Sequence, residues 1–253
     1  MLSLDNSIKK QIGAIAMIDI LGYGDIISKN SIDFVKNNII DTLINSIEKA
    51  NCIVNRKREK FSHFANNNIK QTALIKYLFF SDTFLIYIEN EITDESLINN
   101  QKNTLNSLCF ALCIILNHSF HQNIALRGAI SYGEFYLNKN PLIIIGEVIT
   151  EIAKLEKSQQ WAGVVLSKKL EKLNLCDQFV TNYMVPFKKN NNCTNFFKRT
   201  ITEFKVINWV SPKTNNFIDA NQLINFNKCF DSKKEDVKEK KQNTMKFYEL
   251  MKT

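Results

Sequence analysis

The sequence predicts an α+β fold built on a β-α-β-β-α-β core, and three observations carry that expectation. An apolar, β-branched run over residues 12–20 reads as a strand. Two further apolar runs in "ALIKYLFFSDTFLIYIEN" flank Ser81-Asp82 as a hairpin, and "IALRGAISYGEFYL" reads as a fourth strand. Stretches with helical periodicity, 31–50 and 101–118, separate the first strand from the hairpin and the hairpin from the fourth strand. That order is the ferredoxin-like split unit. It hosts unrelated functions, so it names none by itself.

Each element has its own warrant. In 31–50 the apolar positions Ile32, Phe34, Val35, Ile39, Ile40, Leu43 and Ile44 form an amphipathic stripe, and 53–72 reads as a polar connection. Beyond the core, "PLIIIGEVITEIAKLEKSQQWAGVVLSKKLEKL" gives a strand, a glycine, a helix and a further strand-helix pair. Residues 186–200 read as a loop and "EFKVINWV" as a last strand. From about residue 228 the composition turns lysine-rich, which predicts a weakly packed helix or tail. We therefore read 10–212 as one domain and 213–253 as a lysine-rich C-terminal helix or tail.

With 253 residues and 45% hydrophobic content, the chain can fill a real core. No stretch of about 18 apolar residues runs unbroken, and "MLSLDNSIKK" has no apolar segment behind its basic residues. The expectation is a cytoplasmic protein without a membrane partner. A net charge of +8 invites a polyanion. Much of the excess sits in "NRKREK" and the tail, and no RRM signature is present, so no nucleic-acid partner is expected. The six cysteines lack zinc spacing and read as reduced and structural. His63, His118 and His121 have no nucleophile or ligand cluster around them, and no GxxxxGK[ST], GxSxG or HExxH motif occurs.

The chemistry concentrates at "AIAMIDILGYGDII", where a strand delivers Asp19 to a glycine-flanked turn. In a split unit the first strand neighbours the hairpin, so Asp19 and Asp82 meet at one sheet edge. Two carboxylates there would repel unless a cation stands between them, and hard oxygen donors suit Mg²⁺ or Mn²⁺. Gly22 and Gly24 permit a tight turn and close approach of backbone to phosphate. Taken singly, each acid has an ordinary explanation: Asp19 as a turn cap, Asp82 as a type I′ hairpin residue. Glu134 and Glu147 fall near the proposed site in sequence. Glu151 and Glu156 read as a helix's charged face, and Trp161 as interface or core.

Taken together, four segments resemble the class III nucleotidyl cyclases. "MIDILGYGD" is similar to their first metal motif, "FFSDTFLIYI" to the second, "LRGAISYGE" to the strand with a phosphate-binding arginine, and "GEVITEIAKLE" to the strand-to-helix segment. The resemblance covers roughly residues 12–170 and "FKVINWV". It implies a phosphorus-oxygen lyase with two Mn²⁺ or Mg²⁺ ions held by Asp19, Asp82 and the backbone carbonyl of Ile20. It implies substrate contacts at Gly22, Tyr23 and Arg127, with Arg127 neutralising the leaving group. Adenylyl members read adenine with a lysine and an aspartate, where this sequence has Leu78 and Ile143. Their transition-state asparagine and arginine correspond to Thr150 and Lys154, and Lys154 lacks the bidentate fork of arginine.

With "AKLEKSQQWAGVVLS" and "VINW", the chain resembles the pyrimidine cyclases of bacterial Pycsar anti-phage systems, which make cyclic UMP or cyclic CMP. That implies UTP or CTP as substrate and a homodimer with interface active sites, metals from one chain and base-facing groups from the other. Tyr77, Leu78 and Phe80 would narrow the base pocket against purines. The alternative of another class is an inactive nucleotide-sensing or RNA-binding module on the same fold.

Overall fold

The computed structural model describes residues 9–64, 75–89, 97–139, 142–188, 201–210, 224–231 and 234–252. In chain order the elements are β1 (Lys9–Ile20), α1 (Tyr23–Lys29), α2 (Ile32–Val35), a π-helical turn (Lys36–Ile40), α3 (Asp41–Phe64), β2 (Ile75–Phe80), β3 (Thr83–Glu89), α4 (Leu97–His121), β4 (Leu126–Lys139), β5 (Leu142–Ile145), α5 (Glu147–Ser158), β6 (Val164–Leu166), a 3₁₀ turn (Lys168–Leu170), β7 (Val180–Pro186), β8 (Ile201–Ile207), α6 (Phe226–Cys229) and α7 (Glu235–Lys252).

The strand order β2-β3-β1-β4 is that of the ferredoxin-like unit, and β6, β8 and β7 extend the sheet beyond β4. β4 and β6 run parallel while the other pairs are antiparallel, so the sheet is mixed and the fold α+β, as the sequence predicts. β1 is an inner strand of the core. Its register is set on both sides, by β3 over Gly13–Asp19 and by β4 over Lys9–Ile20. Ala14, Ala16, Ile18 and Ile20 are fully buried, and so is Ile15 on the alternate side, so β1 is covered on both faces.

α4 is apolar around nearly its whole circumference. Leu105, Leu108, Cys109, Ala111, Leu112, Cys113, Ile115 and Leu116 are all buried, as expected of a helix enclosed by other elements. Its polar groups are absorbed locally: Asn117 Nδ2 donates to the Trp209 carbonyl at 2.9 Å and His118 Nδ1 lies 2.6 Å from Ser46 Oγ. The five cysteines among the described residues are free. At Gly128, β4 passes close against β1. A Cβ there would stand 2.4 Å from Ile18 Cδ1 and 2.5 Å from the Met17 carbonyl oxygen.

Several expectations need correcting. The helix over 31–50 is broken into α2, a π-helical turn and α3. The polar connection does not begin at 53, because α3 runs on to Phe64: Lys, Arg and Glu in "NRKREK" are good helix formers, and residues 65–72 lie outside the described residues. The second helix of the strand-helix pair is only a 3₁₀ turn, and β7 was not expected at all, because its alternation is interrupted by Asn182 and ended by Pro186.

The lysine-rich C-terminal segment is not weakly packed. Phe247 and Thr244 of α7 are fully buried. Phe247 meets Trp161 edge-on at 5.0 Å and Tyr183 at 4.9 Å, and Thr244 Oγ1 accepts a bond from the Ala162 N–H at 2.8 Å. Val237, Thr244, Phe247, Tyr248 and Met251 make the 3–4 spaced stripe that the lysines of the other face obscure. Lys234 ties the start of this segment back to α1 through Asp25 at 2.9 Å. Among the described residues no helix is long and apolar enough to cross a membrane.

Truncating Phe247 to Ala is expected to destabilise the protein by about 3–5 kcal/mol, the cost of emptying a buried aromatic position. The denaturant midpoint measures it, and a loss below about 1 kcal/mol would place α7 outside the core.

Candidate active site

The two registers of β1 place the site. Asp19 pairs with Arg127 on one side and Thr83 on the other, and Phe80 pairs with Thr83, so Phe80, Thr83, Asp19 and Arg127 form one row across the sheet. Directly opposed residues share a face. The next row on that face is Leu78, Leu85, Met17 and Ala129, and the next contains Ile15 and Ser131. α5 lies over this face, because its Glu156 reaches Arg127 and its Glu151 reaches Ser131.

Asp82 sits beside the first row, at the tip of the β2–β3 hairpin. Its carbonyl accepts the Ile20 N–H at 3.0 Å, which fixes the tip against the end of β1. The type I′ explanation for Asp82 does not hold, since that turn needs positive φ at both central residues and only Ser81 has it, at 59°. A serine held in that region is sterically costly. Gly22 starts α1 with φ 77°, a conformation that favours glycine, and nothing crowds its α-carbon. Tyr23 and Gly24 follow within the first turn of α1.

Arg127 is the centre of charge. Its Nε and Nη2 both donate to Glu156 Oε1, at 2.6 and 2.5 Å, and Nη2 lies 3.4 Å from Asp19 Oδ2. Nη1 donates to the Gln159 carbonyl at 3.4 Å. The Arg127 side chain is 8% exposed, Glu156 3% and Asp19 20%, so the pair is buried and only Asp19 opens to solvent. Burial, the neighbouring Glu156 and, more weakly, Asp82 push the Asp19 carboxyl from 3.8 up to about 7, against the pull of Arg127 and Lys157.

The donor set fits a small divalent cation. Two carboxylates at one corner, with a third carboxylate behind them, hold more negative charge than one arginine offsets. Among the described residues no group of three or more His, Cys, Asp or Glu side chains could hold a metal. Ions of the Mg²⁺ type take one or two carboxylates and leave their other positions to water and substrate phosphate, so Asp19 and Asp82 would suffice to hold one.

The structure thus brings together Asp19, Asp82, Ile20, Arg127, Leu78 and Phe80, but not every expected residue. Tyr77 pairs with Ile86, in the row of Ala16 and Ile130, and so faces the opposite side of the sheet. Ile143 pairs with Asn138, eleven positions along β4 from Arg127 and roughly 35 Å of strand away. Thr150 and Lys154 are exposed on α5; Thr150 lies about 9 Å along the axis from Glu156, and Lys154 points nearly opposite to it. Arg127 is on the expected face, yet it is engaged by carboxylates instead of lying open to a triphosphate.

Glu156 is the main residue that sequence reasoning placed wrongly. It is not on a charged outer face, because Val148, Ile152, Leu155 and Glu156 together form the buried side of α5. Its spacing from Ile152 was the available signal. Glu151 is likewise turned inward, taking bonds from Ser131 and Ser167 and an ion pair from Lys169 at 2.8 Å. Burial opposes its ionisation, but these partners hold its carboxyl below the ordinary value. Trp161 is core, with Nε1 donating to Gln159 Oε1 at 2.8 Å.

No protein-family model matches the chain, and no curated protein matches it. Among solved structures it is similar to the catalytic core of a rhodopsin-guanylyl cyclase with converted specificity in complex with ATPalphaS, at TM-score 0.48 and 9% identity over 79% of this chain and 98% of that one. It is also similar to the adenylyl cyclase CyaB from P. aeruginosa, at TM-score 0.47 and 11% identity over 79% and 95%. The monomeric guanylyl cyclase domain of the RhoGC fusion protein from the aquatic fungus Blastocladiella emersonii gives TM-score 0.45 and 9% identity over 79% and 96%. At such low identity, function is read from the chain's own residues.

The elevated Asp19 value has a signed consequence. A carboxyl that titrates higher folded than unfolded contributes stability that is complete below the unfolded value of 3.8 and is lost as pH rises through about 7. The interval is worth at most about 4 kcal/mol. In chelator, Asp19→Asn is therefore expected to gain on the wild type between pH 5 and pH 8, as read by denaturant midpoints. An unchanged difference at the two pH values would contradict the assignment.

Proposed function

We propose that the protein is a divalent-metal-dependent nucleotidyl cyclase that converts UTP to 3′,5′-cyclic UMP and pyrophosphate, with CTP to cyclic CMP as the alternative within the same site. The observation that carries this reading is the meeting of Asp19 and Asp82 at one corner, on the face that also presents Leu78 and Phe80.

Asp19, Asp82 and the Ile20 carbonyl would hold the cations. These would lower the pKa of the ribose 3′ hydroxyl and screen the phosphates. In the reaction the 3′ oxygen bonds to the α-phosphorus, the bond from that phosphorus to the bridging oxygen breaks, the hydroxyl proton is released and pyrophosphate leaves. Such catalysis is mostly positioning and electrostatics, and the chain's part is to fix groups on a rigid sheet corner. Gly22 and Tyr23 border the corner where the phosphates would enter. Lys157, exposed on α5 and near enough to pull the Asp19 carboxyl down, supplies positive charge on that side.

Base selection follows from what is missing. Leu78 in the second row offers no hydrogen bond to a purine edge, while the 72% exposed Phe80 puts bulk beside Asp82. The exposed positions of Thr150 and Lys154 suit a homodimer in which a second copy presents that hydroxyl and that cation to the site. The role as signal producer in anti-phage defence rests on the likeness of "AKLEKSQQWAGVVLS" and "VINW" to the pyrimidine cyclases.

The test is to incubate the protein with ATP, GTP, CTP and UTP separately, each with Mn²⁺, and to identify products by mass spectrometry beside Asp82→Ala. The expected outcome is a cyclic pyrimidine monophosphate from the wild type and none from a folded Asp82→Ala. An active Asp82→Ala enzyme, or cyclic product from purines alone, would sink the assignment. No cyclic product from any nucleotide would replace it with a nucleotide-sensing module.

A further inference from the structure

We infer that Glu156 is a positioning residue that anchors the Arg127 guanidinium and so keeps it from closing on Asp19, leaving that carboxylate able to take a divalent cation. The inference builds on the proposed metal site, and it assigns Arg127 a role other than meeting the leaving phosphate.

The geometry is asymmetric. Arg127 stands directly opposite Asp19 across the β1–β4 ladder, where an arginine and a carboxylate would ordinarily form a bidentate, two-bond pair. Instead only Nη2 approaches Asp19, at 3.4 Å, while Nε and Nη2 converge on a single oxygen of Glu156 at 2.6 and 2.5 Å. Nη1 is drawn the same way by the Gln159 carbonyl. Gln159 is itself fixed: its Nε2 donates to the Gly128 and Leu155 carbonyls at 2.8 and 3.0 Å, and its Oε1 accepts from Trp161 Nε1. Arg127 is therefore held from the α5 side by groups that cannot follow it towards the sheet corner.

Stability alone does not account for this arrangement. A buried ion pair is often no better than apolar side chains of similar volume. Here the second carboxylate has a specific effect on the first. With Glu156 in place, Arg127 offsets part of the negative charge at the corner yet gives Asp19 only a single long bond, from Nη2 to Oδ2 at 3.4 Å. Without it, the guanidinium has Asp19 as its nearest carboxylate and would compete with the metal for the same oxygens.

The experiment titrates Mn²⁺ alone, without nucleotide, and follows the electron paramagnetic resonance signal of the free ion, with Asp19→Asn as the zero point. Glu156→Gln is expected to weaken Mn²⁺ binding roughly ten- to hundredfold, the usual range for losing a group that orients a metal ligand. The double variant Arg127→Gln/Glu156→Gln removes the competitor and is expected to restore binding to the wild-type level or tighter. A merely structural pair would leave Glu156→Gln binding like wild type, or the double variant as weak as the single one, and either result overturns the inference. Circular dichroism and thermal melting check folding. If Glu156→Gln does not fold, Glu156→Asp, with its carboxylate withdrawn by one methylene, is expected to bind Mn²⁺ measurably more weakly, and unchanged binding there overturns the inference. A wild type that binds no Mn²⁺ also overturns it. A wild type that binds Mn²⁺ but makes no cyclic product would instead overturn the proposed function and leave this inference standing.

Discussion

The double register of β1 is the constraint on which the site depends. By pairing Asp19 with Thr83 on one side and Arg127 on the other, it sets a hairpin tip, a carboxylate and a guanidinium in one row. A slip of one residue would turn Asp19 into the opposite face, where Ala14, Ala16 and Ile18 are sealed from water. The apolar pattern that builds the core is therefore also what aims the acid. Gly128 tightens this further, since no side chain could stand between β4 and Ile18 of β1.

From that row the electrostatics follow. α5 covers the same face and brings Glu156 under Arg127, and the sheet corner then carries three carboxylates within one neighbourhood. Buried like charges of this kind are tolerated where something positive balances them. Arg127 does so from beneath, and in the proposed reading the exposed side of Asp19 would take a cation from solvent. The strained Ser81 at the hairpin tip, which costs conformational energy without improving the core, belongs to the same arrangement because it sets where Asp82 stands.

Much of the core was legible because its signals are local. Apolar, β-branched runs marked β1, the hairpin and β4, and their order predicted which strands would lie together. That Asp19 and Asp82 share an edge followed from topology alone. What escaped the sequence depends on which side of an element a residue faces. Tyr77 and Leu78 are neighbours in the chain, yet only Leu78 shares the face of Asp19, and deciding between them takes the register. Glu156 was read by its charge, although its spacing from Ile152 and Val148 already placed it with the buried stripe. The same bias hid α7, where lysines outnumber the few side chains that pack on Trp161 and Trp209. The pairing of Arg127 with Glu156, 29 positions apart, has no local signature at all.

The account comes together in one place, the corner between the end of β1 and the tip of the β2–β3 hairpin. The most direct measurement is anomalous diffraction from crystals of the protein grown with Mn²⁺ and a non-cyclisable pyrimidine triphosphate analogue. We expect Mn²⁺ density about 2 Å from carboxylate oxygens of both Asp19 and Asp82, with the Arg127 guanidinium still on Glu156. Analogue bound elsewhere, or an Asp19–Asp82 corner without Mn²⁺ density, would contradict the account.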